Sequence, residues 1–370
     1  MPPVVVCRFM PTTMFHQQMP NFNGGGQAAE EGQFPWAVAL ARGEAAKKKF
    51  FCTGTLVSKR HVLTAAHCFA NEEFALQLCS CGIVTAKEME LVLNETTVSI
   101  GSICMDDYKL KGLCKSERRQ QFRVKTATYL HFYNGKCCGN DFALLELDVD
   151  SEGVPANLAN HICLPQLNAF EAFSWHNAHP VSYGWGRDRM GIAPEKSDRR
   201  SAFIGDNANG DLRSQINAIG EQLAKFFNAN GELRPAICPK KAIIAIRSRD
   251  LLSNSKLQHM PVLQTLQYPN IWSHAACMRH VNSTYSAQLD DIMCLMDVQG
   301  VKDVCEGDSG GGLTSQQMGT DGIWRWLLLG VVSFGPSCEE EAVRQRVNKP
   351  GLYTNMTDHW NRVNKLMGIL

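Results

Sequence analysis

Short runs of apolar residues, alternating or continuous, recur along most of the chain and predict β-strands rather than long helices. In the first half these runs are Gln33–Leu40, Cys52–Ser58 and Asp141–Leu147. The last of them has the apolar density of a strand in a sandwich or barrel core. After His161–Pro165 a second strand-rich half begins near Val181 and extends to Tyr353. The pattern therefore predicts a mainly β chain with two halves.

Two stretches carry the spacing of a helix instead. Trp360, Val363 and Leu366 lie three apart and predict a C-terminal helix that packs on the second half. Residues 198–253 interrupt the strand pattern, and within them Asp211–Asn230 has the apolar spacing of an amphipathic helix. We interpret this interval as a partly helical insertion at a surface loop, where added length costs little. A retained non-coding segment in the gene model is the alternative.

The cysteine content indicates the compartment in which the protein folds. Fifteen cysteines are unusual for a cytosolic chain and favour an oxidising environment, and glycosylation sequons at Asn94, Asn282 and Asn355 agree with this. Residues 1–24 resemble a leader or pro-segment but lack the apolar core of a signal peptide. We therefore expect a secreted glycoprotein whose chain start is incomplete or wrongly placed.

Charge and hydropathy argue against two other classes of protein. The formal net charge of +1 gives no electrostatic basis for expecting a nucleic-acid partner or a membrane surface. The longest apolar run, Trp326–Val332, is interrupted by Gly330 and is far shorter than a membrane-spanning helix. We accordingly expect neither nucleic-acid binding nor a membrane span.

Three motifs supply the parts of a hydrolytic triad. Ser309 lies in the glycine-rich run Asp303–Gly311, His67 lies in Thr64–Cys68, and Asp141 opens a buried strand. A serine hydroxyl is a poor nucleophile until a base takes its proton, and an imidazole titrates in the useful range. A carboxylate can hold the imidazole tautomer and stabilise the imidazolium. A single histidine is more often structural, but three motifs in agreement favour catalysis.

In their order and spacing the motifs resemble those of the trypsin/chymotrypsin-like serine proteases. The runs that begin at Cys52 and Gly307 also resemble a divergent branch of that family found in nematodes. The resemblance implies an all-β protease domain, residues 25–370, with two six-stranded antiparallel Greek-key β-barrels at about 33–165 and 175–355. A C-terminal helix and the partly helical insertion complete this expected fold.

The activity implied by the resemblance is that of a trypsin-like hydrolase. It would be a secreted serine endopeptidase that works through an acyl-enzyme, with no metal and no organic cofactor. Its partners would be protein or peptide substrates, together with protein inhibitors and an activating protease. The resemblance also implies a monomer.

Further roles follow from the resemblance residue by residue. The N–H groups of Gly307 and Ser309 would form the oxyanion hole. Asp303, six residues before Ser309, matches the carboxylate at the base of the specificity pocket and would select Arg or Lys beside the scissile bond. The matching positions in the pocket wall are Ser333, Gly335 and Gly351. The alternative role for Asp303 is that of a solvated loop acid.

Disulfides form a further part of the resemblance. The implied pairs are Cys52–Cys68, Cys277–Cys294, Cys305–Cys338 and Cys7–Cys163, the last of which would tether the pro-segment. Seven cysteines remain, and their pairing cannot be deduced from the sequence. Some of them are closely spaced, but no ligand set with zinc spacing accompanies them. We expect additional disulfides and no metal site.

The start of the domain departs from the family. Active members are cut after a basic residue, and the new terminal ammonium pairs with the aspartate before the nucleophile, here Asp308. The equivalent run, Asn23–Gly26, follows Phe22, so it has neither a basic residue before it nor an aliphatic pair. Two hypotheses follow: a zymogen with an unusual activation step, and an inactive homologue that acts as a binding or regulatory protein.

Overall fold

The structure is a computed structural model that describes parts of both predicted halves. The described residues are 26–43, 48–69, 93–105, 118–128, 140–165, 179–189, 257–268, 271–285, 291–296, 303–319, 321–335 and 350–369. The predicted leader (1–24) and the predicted insertion (198–253) lie outside them.

Six antiparallel strands of the first half close into a barrel. In chain order they are β2 (Ala37–Arg42), β3 (Lys49–Leu56), β4 (His61–Thr64), β5 (Thr96–Ile100), β6 (Gln120–Thr128) and β7 (Ala143–Leu147). They pair in the order β2-β3-β4-β7-β6-β5, and β5 returns to β2. In β5 every second side chain is buried, and β7 is buried except at Glu146, as their sequence patterns require.

The second half is an antiparallel sheet of seven strands in the order β1-β11-β8-β13-β14-β15-β12. Its strands are β1 (Gln27–Ala28), β8 (Val181–Gly184), β11 (Gln264–Gln267), β12 (Ile292–Leu295), β13 (Gly312–Met318), β14 (Trp324–Phe334) and β15 (Gly351–Asn355). A separate ribbon pairs β9 (Arg187–Arg189) with β10 (Leu257–His259). The all-β fold class is confirmed, with one strand of the second half, β1, supplied from before the first barrel.

Two helices accompany the strands of the second half. Helix α1 (His274–Tyr285) lies next to β12, to which the Cys277–Cys294 disulfide joins it. Helix α2 (Met356–Leu366) is the predicted C-terminal helix, and it buries Val363 as its spacing requires. Among the described residues no helix has both the length and the apolar character needed to cross a bilayer.

Aromatic side chains pack the two halves against each other. The ring of Phe34 lies 5.1 Å from that of Tyr183 on β8, and Trp36 lies 5.7 Å from Trp326 on β14. The buried Tyr183 hydroxyl also shares a 2.7 Å hydrogen bond with Thr55 of β3. Aromatic rings bury much apolar area with few rotatable bonds, so this contact fixes how the barrel meets the sheet. The candidate site lies along the same junction.

Candidate active site

His67 is placed by a tight turn at the end of β4. The chain leaves the strand at Thr64 and forms a short 3-10 turn, Ala66–Cys68. A disulfide from Cys68 to Cys52 on β3, with 6.2 Å between the Cα atoms, ties the turn to the barrel. The imidazole is therefore carried on a covalently anchored segment and remains partly exposed.

Asp141 holds the imidazole of His67 in position. Its buried carboxylate accepts the His67 backbone N–H at 3.0 Å and lies 2.8 Å from His67 Nδ1. The hydroxyl of Ser333 donates to the same carboxylate. A carboxylate bound to Nδ1 keeps the proton there and leaves Nε2 with its lone pair, which is the tautomer that a general base requires.

The backbone before Asp141 is held in an unusual conformation. Asn140 has φ of 56°, in the left-handed region where asparagine is among the more tolerated residues. Its N–H donates to Asp291 Oδ2 at 2.8 Å, and His359 of α2 lies 3.0 Å from the same oxygen. The Thr354 hydroxyl also donates to the Asp141 carbonyl at 3.1 Å. The second half thus positions a residue that belongs to the first barrel.

Ser309 lies in a turn just before β13. Gly310 has φ of +83°, and a side chain there would collide with the Thr53 carbonyl and the Thr64 hydroxyl, so glycine is required. The Ser309 carbonyl lies 3.8 Å from Cys68 Sγ, next to His67 in sequence. No hydrogen bond joins Ser309 to His67 within the described part of the chain. Such bonds are often long in a site without substrate.

The N–H groups of Gly307 and Ser309 are those that the resemblance assigns to the oxyanion hole. The neighbouring groups are engaged: Asp308 N–H donates to the Cys305 carbonyl, and Gly310 N–H to the Val332 carbonyl. Among the described residues, no acceptor takes the N–H of Gly307 or of Ser309. A pair of unengaged N–H groups in one fixed turn can receive an anionic oxygen.

Asp308 is lodged against the turn that follows β8. Its carboxylate accepts the Gly186 N–H at 2.7 Å and the Cys305 N–H at 2.8 Å. A Cβ on Gly184 or on Gly186 would lie within about 2.2 Å of this carboxylate, so the two glycines leave the space that it occupies. These backbone donors partly offset the cost of removing the charge from water.

Asp303 lies beside the backbone of β15. A Cβ on Gly351 would lie 2.6 Å from Asp303 Oδ1, whereas one on Gly335 would meet only ordinary contacts. The buried Tyr268 hydroxyl donates to Oδ1 at 2.9 Å and accepts from the Tyr353 hydroxyl at 3.0 Å. Burial, reinforced by the negative charge of Asp303, raises the pKa of Tyr268, so its phenol stays a neutral donor.

Two of the predicted disulfides join described residues, and each of the other two has one cysteine outside them. The structure contains Cys52–Cys68 and Cys277–Cys294, and Cys305 and Cys163 are also disulfide-bonded. Their implied partners, Cys338 and Cys7, lie outside the described residues. The close group of Cys52, Cys68 and His67 is no metal-ligand set, because both sulfurs form the disulfide.

The three glycosylation sequons lie in different structural environments. Asn94 is exposed, and the side chain of Asn282 lies outside what the structure describes. Asn355 precedes α2 and caps it, because its Oδ1 accepts the Thr357 N–H at 3.1 Å. The sequon at this position therefore coincides with a helix cap.

Sequence reasoning missed Thr53 and Tyr268. Thr53 is buried on β3 and contacts the turn of Ser309, while Tyr268 contacts Asp303. Both lie far from their partners along the chain, and neither belongs to one of the three motifs. The sequence shows a polar residue among apolar ones in a predicted strand, but this pattern does not indicate which residue it contacts.

Comparisons with known proteins agree with this geometry. A family model described as Trypsin matches residues 23–202 and 234–361. The chain is 26% identical over 318 residues to trypsin-like protease try-5 of Caenorhabditis elegans, covering 82% of this chain and 74% of the relative. It is 37% identical over 113 residues to human Testisin, covering 29% of this chain and 32% of the relative.

Proposed function

This chain belongs to the trypsin family, and on that premise we propose that it is a secreted serine endopeptidase that cleaves peptide bonds after Arg or Lys. One observation carries the proposal. The Asp141 carboxylate holds His67, and the nearby turn carries Ser309 and two N–H groups that have no acceptor among the described residues. This combination can activate a hydroxyl and receive the charge that its attack creates.

The first half of the reaction forms an acyl-enzyme. His67 Nε2 takes the proton of Ser309 Oγ as that oxygen attacks the substrate carbonyl carbon. The resulting oxyanion accepts hydrogen bonds from the N–H groups of Gly307 and Ser309. The tetrahedral intermediate then collapses, the C–N bond breaks, and His67 gives its proton to the leaving amine.

The second half returns the enzyme to its starting state. A water molecule gives a proton to His67 Nε2 and attacks the acyl carbon. The new oxyanion accepts hydrogen bonds from the same two N–H groups. Collapse releases the carboxylic acid product while the proton returns to Ser309 Oγ. Asp141 remains ionised throughout and stabilises the imidazolium that forms in each half.

Asp303 supplies the substrate preference in this proposal. A carboxylate beside Gly351, where the residue has no side chain to block the approach, suits a long cationic side chain that would pair with the negative charge. The Tyr268 hydroxyl fixes one oxygen of that carboxylate, so its position does not depend on the substrate. The Ser333 hydroxyl donates a hydrogen bond to Asp141. We also propose that the Ser333 backbone forms hydrogen bonds with the substrate.

The alternative function is that of an inactive homologue that binds other proteins and does not cleave them. Whether the chain can be activated distinguishes this alternative from the enzyme. The unusual run Asn23–Gly26 favours this alternative, because no basic residue precedes the run at which a protease could cleave. The Asp308 carboxylate favours the enzyme, because the N–H groups of Gly186 and Cys305 stabilise the position that it occupies. We therefore propose that hydrogen bonds to the Asp308 carboxylate help to keep the nucleophile turn ordered.

Hydrolysis of a matched set of peptide amides tests the proposed function. The set differs only in the residue before the scissile bond, with Arg, Lys, Leu and Glu members, and the enzyme is the full secreted chain. We expect Arg and Lys substrates to be cleaved and the Leu and Glu substrates to be cleaved at least about a hundredfold more slowly. Ser309→Ala is the control for contaminating proteases.

Two outcomes would contradict the proposal. Equal cleavage of all four substrates would refute the role of Asp303 while leaving the protease activity. A folded protein that cleaves none of them, both before and after limited proteolysis near Asn23, would refute the protease and support the binding homologue.

A further inference from the structure

Thr53, a buried residue of β3 in the first barrel, contacts the nucleophile turn of the second half. Its backbone N–H donates to the Ser309 carbonyl at 2.9 Å, and its hydroxyl donates to the Gly307 carbonyl, also at 2.9 Å. A single residue therefore binds the carbonyl groups of both residues whose N–H groups are assigned to the oxyanion hole.

The hydroxyl bond is the more informative of the two. The peptide unit that carries the Gly307 carbonyl joins Gly307 to Asp308. It lies between the two peptide units that carry the N–H groups of Gly307 and Ser309. Because peptide units are planar, fixing the plane of the central one restricts the directions of both neighbours. The backbone bond to Ser309 is available to any residue at position 53 except proline, whereas the hydroxyl bond requires Thr or Ser.

The hydroxyl of Thr53 is itself held in place. It lies 3.4 Å from the Trp185 N–H, for which it is an acceptor, so its donor and acceptor roles are both used. The Thr53 carbonyl accepts the Thr64 hydroxyl at 2.8 Å. Thr64 ends the strand that leads to His67, so hydrogen bonds connect the His67 segment to the Ser309 turn through Thr53.

We propose that Thr53 is a positioning residue for the oxyanion hole, acting through the Gly307 carbonyl. Resting on the proposed function, this assigns part of the transition-state stabilisation to the first barrel, which contributes no N–H group to the hole. The hydroxyl keeps the two N–H groups convergent before substrate arrives. Donors that need no reorganisation stabilise the developing charge most strongly.

Thr53→Val tests the proposal, because valine matches the shape of threonine and lacks the hydroxyl. Thr53→Ser retains the donor, and Thr55→Val is the matched control. Thr55 is also fully buried on β3, but its hydroxyl bonds to Tyr183 and not to the nucleophile turn. All three variants are made in the full chain, and thermal unfolding is measured for each.

Four measured quantities distinguish positioning from general structural damage. They are kcat and KM for an Arg or Lys peptide amide, and the inhibition constants of a peptide aldehyde and of benzamidine. The hemiacetal oxygen of the bound aldehyde occupies the oxyanion hole, whereas benzamidine needs only the cation pocket.

For Thr53→Val we expect kcat to fall about tenfold and aldehyde affinity to fall by a similar factor, with KM and benzamidine affinity unchanged. We expect Thr53→Ser to restore both values to near the wild type. A Thr53→Val enzyme that matches Thr55→Val in kcat and aldehyde affinity would overturn the proposal. So would equal losses of benzamidine and aldehyde affinity. A folded wild-type protein without activity would instead refute the proposed function, and this inference with it.

Discussion

Asp303 is the residue on which the proposed substrate preference depends. Its carboxylate accepts the Tyr268 hydroxyl and the Val304 N–H, both at Oδ1, so the charge is held beside the Gly351 backbone before substrate binds. A substrate cation that pairs with this charge gains far more than one that meets a neutral side chain.

Asp303→Ser should therefore lower kcat/KM for Arg and Lys substrates by about a hundredfold or more, because a cation would enter a pocket without its counter-charge. Labelling of Ser309 by a small fluorophosphonate should remain near the wild-type rate. Asp321→Ser is the control, since Asp321 is exposed and pairs with Arg325. Unchanged kcat/KM in Asp303→Ser would show that Asp303 lies outside the substrate pocket.

At the scale of single residues, the sequence predicts chemistry better than contacts. Motifs predict His67, Asp141 and Ser309 because these residue types suit nucleophilic catalysis, and the structure places the first two in direct contact. Ser333 is predicted to line the substrate pocket, and its hydroxyl also donates to Asp141, a contact that the sequence does not reveal. Tyr268 could not be found from sequence, because its partner lies 35 residues away and no local pattern links them.

Helix α2 shows how one side chain sets the start of an element. Asn355 Oδ1 accepts the Thr357 N–H and the Thr357 hydroxyl, and its amide donates to Asp358 Oδ2 at 2.9 Å. An N-terminal cap of this kind satisfies a backbone donor that has no partner within the helix.

Asn355→Ala should lower the free energy of unfolding by about 1 kcal/mol relative to Asn355→Ser, because serine keeps a capping oxygen and alanine does not, while both lose the amide that donates to Asp358. Both variants lack the sequon, so a glycan cannot account for a difference between them. The measurement is chemical denaturation of the two proteins side by side. Equal stability would mean that the cap contributes nothing measurable in solution.

Among the elements, those with a clear apolar period were predicted and the short ones were not. The C-terminal helix and strands β3 and β7 follow from spacing, because each buries a face that the sequence marks with apolar residues. Strand β1 has only two residues, and its position depends on pairing with β11, which is more than 230 residues away in sequence. Local pattern carries no information about such a pair.

At the scale of the whole molecule, residues of the second half hold Asp141 of the first half in position. Asp291 accepts the Asn140 N–H and lies 3.0 Å from His359 of α2, while Asn355 N–H donates to the Asp291 carbonyl at 2.7 Å. These contacts stabilise the left-handed backbone at Asn140, immediately before Asp141.

Asp291→Ala should reduce kcat about tenfold with little change in KM, because the Asn140–Asp141 backbone loses an acceptor that fixes its direction. Asp150→Ala is the matched control: Asp150 also accepts backbone N–H groups, from Glu152 and Gly153, but these lie in an exposed turn and not beside Asp141. Steady-state kinetics of both variants are the measurement. Equal kcat values would show that Asp291 does not position Asp141.

His67 is proposed to activate Ser309 for covalent catalysis, and active-site titration tests this role. The folded, full-length protein is titrated with a fluorophosphonate, before and after limited proteolysis, and the modified peptide is located by mass spectrometry. Ser309→Ala and His67→Ala serve as controls. We expect stoichiometric labelling at Ser309 that disappears in the first variant and is at least about a thousandfold slower in the second. Absence of labelling under both conditions, or equal labelling of the His67→Ala protein, would contradict the proposed function.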